Sequence, residues 1–255
     1  MDKQRYFFER IILYTYFFLG IVITLTILNS MFHYPLPYKF WFEPISRLGG
    51  IHAYANAPNQ TAGAIFASGM QYCTFICVFL SFAYIYWEKV ISPIDYQKDF
   101  KYHPNRCMII LTSTMGLGAF LLGIPYDHTK LKLLHALGAL IFIGSFSILN
   151  IIAQLHKRIR KKGNSNEISS GITLFEAILI VLIFIMMIVY LIAFMLFLMS
   201  KTPSIPLQYF NATSQKIILI LCLVAIFNLD PDDVLLESFW TMDHLRDAFK
   251  LRKRD

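Results

Sequence analysis

Apolar residues in this chain fall in blocks, most of about 18 or more, enough to cross a hydrocarbon core of about 30 Å at about 1.5 Å per residue. Of the 255 residues, 56% are apolar and 15% charged, against about 45–50% and about 25% in a soluble domain. Lipid, not water, is therefore the solvent such blocks are built for. Five of them run from Ile11 to Met31, Ala62 to Trp87, Cys107 to Ile124, Leu133 to Leu155 and Ile172 to Met199. A sixth, Ile217 to Leu229, is too short to span unless it is extended back toward Pro206 through Asn211, Thr213, Ser214, Gln215 and Lys216. With that extension the expected fold is all-α, a polytopic membrane bundle of six transmembrane helices. It makes one transmembrane domain over 1–230, followed by a basic tail over 231–255.

The first block is too long for a signal-peptide core, and no small-x-small cleavage site follows it. Between Phe32 and Thr61, Pro35, Pro37, Pro44, Pro58, Gly49 and Gly50 forbid one regular helix. That stretch is an ordered loop with at most a short helix, and Tyr34, Tyr38, Phe40, Trp41 and Phe42 suit the headgroup level. After Asp230-Pro231-Asp232, a helix-start signal, the tail repeats Leu235, Phe239, Met242, Leu245 and Phe249 at spacings of three and four, with Arg and Lys crowded at its end. An amphipathic helix lying on the membrane surface is the expectation.

Charge sets the orientation. Seventeen of the 23 Lys and Arg fall in the N-terminal tail, the second and fourth connections and the C-terminal tail. Six spans put all four segments on one side, and the positive-inside rule makes that side the cytoplasm. The net charge of +7 then implies anionic lipid headgroups as partners and no nucleic acid, because the basic residues sit between apolar blocks instead of along one stripe. The expected location is the plasma membrane, or an endomembrane in a eukaryote. Cys73, Cys77, Cys107 and Cys222 read as small buried apolar residues without a disulfide. Two sequons, at Asn59 and Asn211, lie too close to helices to suggest glycosylation.

Composition also ranks the helices. Gly63, Ala67 and Ser68 in the second, Gly116, Gly118 and Gly123 in the third, and Ala136, Gly138, Gly144 and Ser145 in the fourth let backbones approach, so these three should form the packed centre. The fifth, nearly all Ile, Leu, Met and Phe, should face lipid with the first beside it.

Two groups of polar residues are candidates for function. On the outer side stand Glu43, Arg47, His52 and Asn59 of the first loop with Asp127, His128 and His135 around the third connection. Asp and His are zinc-ligand types, and three ligands with an open position could activate water, although the spacing matches no standard ligand pattern. Within the membrane, Glu176 is the acid to consider for proton coupling, but so near a helix start it can also reach the interface and gain from the helix dipole. Asn150 and Gln154 on one face of the fourth helix, and Gln71 in the second, suit interhelical hydrogen bonds. No HExxH, GxSxG, Walker lysine or CxxC is present. No catalytic residue, bound metal or cofactor is therefore assigned.

The run Pro44-Ile45-Ser46-Arg47-Leu48-Gly49-Gly50, then Pro58-Asn59 and Gly69, and later Gly123-Ile124-Pro125-Tyr126-Asp127 leading to His135-Ala136-Leu137-Gly138-Ala139, resembles a family of six-span bacterial and archaeal membrane proteins of unknown function. More distantly it is similar to the eukaryotic DRAM and Frag-like proteins, which share six spans and a histidine at the start of the fourth helix. The resemblance covers roughly residues 10–155 and implies six spans but no activity. Arg47 stands where that family commonly has Asp, which removes the acid on which a metal or proton role there would rest. The leading expectation is a non-catalytic membrane protein binding lipid or a membrane partner. The alternatives are a small-solute or proton-coupled transporter, and a metal-dependent membrane hydrolase using the outer Asp/His cluster.

Overall fold

A computed structural model describes residues 2–53, 57–91, 104–125, 131–163, 170–200, 204–230 and 234, with backbone alone at 2–6, 90, 91, 104, 132, 158–163 and 170–173. Six α-helices account for most of it: α1 Asp2–Phe32, α2 Gln60–Tyr86, α3 Pro104–Leu122, α4 Lys132–Gly163, α5 Ser170–Met199 and α6 Ile205–Phe227. Each is long and apolar enough to cross a membrane. The chain is an integral membrane helical bundle. Among the described residues no strand forms beyond one isolated bridge, His52 to Pro58.

Helix ends follow local chemistry. Pro104 opens α3 and Pro206 sits in the first turn of α6, where the missing N–H is no loss. The polar residues 211–216 are helical, so the extended sixth span is correct. In the first loop the one short element is a 3-10 turn, Ile45–Gly49, between Pro44 and Gly50.

Consecutive helices pack side by side from α1 to α6, and α6 returns to α1, closing a ring. Contact between α4 and α6 crosses this ring and pushes α5 outward. The α3–α4 and α2–α3 interfaces are the most extensive, as the glycines suggested. A Cβ on Gly118 would lie 2.4 Å from the Phe142 nitrogen, and one on Gly138 would lie 2.5 Å from the Leu122 nitrogen, so backbone touches backbone there. Hydroxyls tie the same three helices. Ser81 pairs with Thr112 at 2.8 Å and Thr114 with Ser145 at 2.9 Å.

Two expectations about packing need correction. Helix α6, 56% buried over its span, is more enclosed than α2 at 39% and belongs to the centre, because polar side chains over 211–216 turn inward. Helix α5 is the least enclosed, at 33%, but α1 is not its neighbour. α1 lies against α2 and α6, so α6 separates the two. Helix α4 also runs past Leu155, through its basic residues to Gly163. Of the amphipathic tail only Val234 is described. The helix expected over 234–254 lies otherwise outside the described residues.

Candidate functional site

Alternating spans put the starts of α1, α3 and α5 and the ends of α2, α4 and α6 on one face, here the basic face. The first loop lies at the other. Each face closes over a buried polar cluster.

At the first-loop face Lys216 of α6 is 1% exposed and points back under the loop. Its ammonium donates to the Glu43 carbonyl and, at 3.3 Å, to the Ala212 carbonyl. The Phe40 and Tyr38 rings stand 5.1 and 5.8 Å away, within cation–π range. Tyr38 also donates to the Glu43 carbonyl at 2.7 Å, and Tyr34 to the Glu43 carboxylate at 3.1 Å. Burial, and then the neighbouring Glu43 carboxylate, push the Tyr38 phenol up out of the ordinary tyrosine range, so it stays a donor. Gln215 accepts from the Ile45 N–H at 2.9 Å. Loop and α6 are thus joined by groups that would otherwise be buried and unbonded.

Among the described residues, Glu43, Asn59 and His135 of the outer group make separate contacts. Glu43 sits in the Lys216 cluster, whereas the Asn59 side chain donates to the Leu48 and Gly50 carbonyls at 3.1 and 2.9 Å. Asn59 therefore fastens the 3-10 turn to the start of α2, where it is the N-cap residue without capping by its side chain. His135 Nδ1 lies 2.5 Å from the Ile124 carbonyl; since a carbonyl only accepts, Nδ1 carries the proton in that contact. Arg47 is half-buried in the 3-10 turn and His52 is exposed. Asp127 and His128 lie outside the described residues. Among the described residues no three His, Cys, Asp or Glu side chains are grouped to hold a metal ion. Both sequon asparagines are buried.

At the basic face Glu176 of α5 is fully buried, with Lys157 of α4 at 3.8 Å. Lys157 is itself 3.3 Å from Asp230 and donates to the Asn228 carbonyl at the end of α6. One turn earlier on α4, Gln154 donates to the Ala225 carbonyl at 2.7 Å and accepts from the Asn228 amide at 3.3 Å. This joins α4 to α6, as an interhelical amide should. Asn150 instead donates to Phe146 within its own helix at 2.8 Å, and its Oδ1 is buried without a partner. Glu176 is enclosed by the protein on all sides. The chain leaving α6 is held as well: Tyr84 donates to the Val234 carbonyl at 2.8 Å, and Tyr16 lies 3.1 Å from the Tyr84 hydroxyl.

Sequence reasoning missed Lys157 and Lys216 as buried groups. The first was counted among loop cations, and the second only as a weakness in the sixth span. A lysine inside an apolar helix was itself the signal. The fold and these clusters define a six-helix integral membrane protein with polar seals at both faces. Neither a family model, nor a curated protein, nor a solved structure matches the chain.

Proposed function

We propose that the protein is a non-catalytic integral membrane protein that holds anionic lipid headgroups at its basic face, with that face in the cytoplasm. The observation behind this reading is the length of α4. Its apolar run ends at Leu155, yet the helix continues to Gly163. That extension gathers Arg158, Arg160, Lys161 and Lys162 within about two turns, next to the bilayer surface. Each basic residue near an anionic surface contributes about 1 kcal/mol of attraction. Cations at a helix C-terminus are favoured by the dipole as well. Lys157, engaged by Glu176 and Asp230, ties the base of the extension to α5 and to the chain leaving α6.

Native mass spectrometry of the purified protein tests this. Wild type should retain phosphatidylserine or phosphatidylglycerol in preference to phosphatidylcholine, and a variant with alanine at 158, 160, 161 and 162 should lose the preference. Equal retention of all three lipids by wild type would refute it. A second reading, a proton-coupled carrier, is favoured by one feature: a buried carboxylate–lysine pair between α4 and α5. Uptake of protons into proteoliposomes, abolished by Glu176→Gln, would select it over the first.

A further inference from the structure

Gln71 is an amide in the middle of a span that the bundle leaves exposed. It is the twelfth residue of α2, about 16 Å from the first-loop end at about 1.5 Å per residue, near the middle of a core of about 30 Å. Its side chain is exposed and makes no hydrogen bond to any other described residue. Glutamine at that depth ordinarily faces a bundle interior or bonds across to another helix. The expected bond inside this chain does not form, because α2 uses its other faces on α1 and α3.

The surroundings of Gln71 fit a helix. Ala64, Ser68, Gln71, Phe75 and Phe82 follow one another at spacings of three, four and seven, so they share one face, and all are exposed. That face carries no charge. Ala64 and Ser68, four residues apart, let a second backbone come close. A recess of about 420 Å³ between α1 and α2, bordered by Thr26, Asn29, Ala64, Ser68 and Tyr72, adjoins the face and has room for side chains from a neighbour.

We infer that this face of α2 is where a second copy of the chain docks, about a two-fold axis along the membrane normal, with Gln71 bonded to the partner's Gln71. The amide itself argues for a second copy. A primary amide offers both donor and acceptor, so two glutamines meeting at a two-fold axis satisfy each other with no further group. A two-fold contact is self-complementary and brings a residue beside its own counterpart. Copies inserted the same way place their α2 helices parallel, with Ala64, Ser68 and Gln71 at matching depths. Beyond Gln71 the bulky Phe75 and Phe82, 70% and 66% exposed, splay the two helices toward the basic face.

The test is subunit counting by single-molecule photobleaching of the full-length chain, dye-labelled once per copy, in phosphatidylcholine bilayers over a range of dilution. Wild type should pass from dimer to monomer as it is diluted, and Gln71→Leu should weaken the dimer about three- to thirtyfold. Leu182→Ala, on the lipid side of α5, should leave it unchanged. Because leucine facing lipid suits folding, a second variant serves as an independent check on proximity. Ser68→Cys, with the exposed Cys107 changed to alanine, should form a disulfide-linked dimer on oxidation, and Leu196→Cys in that background should not. Monomers at every dilution would overturn the inference. So would a Gln71→Leu dimer as tight as wild type, or Ser68→Cys cross-linking only to a different protein in native membranes.

Discussion

Changing Gly118 to alanine tests whether α3 and α4 are packed backbone to backbone. The added Cβ would meet the Phe142 nitrogen at 2.4 Å, its Cα at 2.8 Å and its Cβ at 3.0 Å. Carbon contacts are comfortable at about 3.5–4.0 Å, so the helices must part by roughly 1 Å. None of these atoms is the free end of a side chain that could swing aside. Overpacking of this kind costs about 1–3 kcal/mol, and parting the helices also stretches the 2.9 Å Thr114–Ser145 hydrogen bond, worth about 1 kcal/mol. Against this, alanine gains about 0.8–1.0 kcal/mol over glycine in helix propensity. The net expectation is a loss of about 1–3 kcal/mol. At about 2–4 °C per kcal/mol for a chain of this size, the thermal midpoint in detergent should fall by several degrees. Gly144→Ala is the matched control, since nothing lies within 4 Å of its added Cβ, and it should be neutral or stabilising. Equal shifts for the two variants, or a stabilised Gly118→Ala, would refute the packing argument.

Lys157→Met takes away the cation beside a fully buried carboxylate and should cost about 3–5 kcal/mol; adding Glu176→Leu should restore much of that, as a double-mutant cycle of thermal unfolding would show. Strictly additive losses would mean the two charges do not interact. Asn59→Ala strips a donor from two carbonyls and should destabilise by about 1–3 kcal/mol. Hydrogen exchange would locate the loosening in residues 48–63 if the side chain fastens the loop.

Span number and most span limits were legible because hydrocarbon thickness sets a length that apolar blocks must meet. Even the weak sixth span followed from that requirement, with Pro206 marking its start. Exposure was legible in part: the apolar composition of α5 said that it faces lipid, but nothing in such a composition names a neighbour, and α1 was set beside it where α6 intervenes. The basic end of α4 was hidden for a different reason. Charged residues after an apolar block look like a loop, although Lys and Arg are good helix formers. Pairings such as Lys157 with Glu176 and Lys216 with the Glu43 carbonyl depend on which helices meet, so they became visible only with the ring of six in place. Gln71 shows the converse, since an amide expected to join two helices of this bundle faces away from all of them.

The claim of anionic-lipid binding is met most directly by titrating phosphatidylserine into the purified protein in neutral detergent while following its thermal midpoint at low and high salt. The account predicts a saturable rise in midpoint that phosphatidylcholine does not reproduce, that weakens as salt screens the charges, and that is absent when residues 158, 160, 161 and 162 are alanine. A rise that is the same for both lipids and indifferent to salt, or one retained in full by the alanine variant, would contradict it.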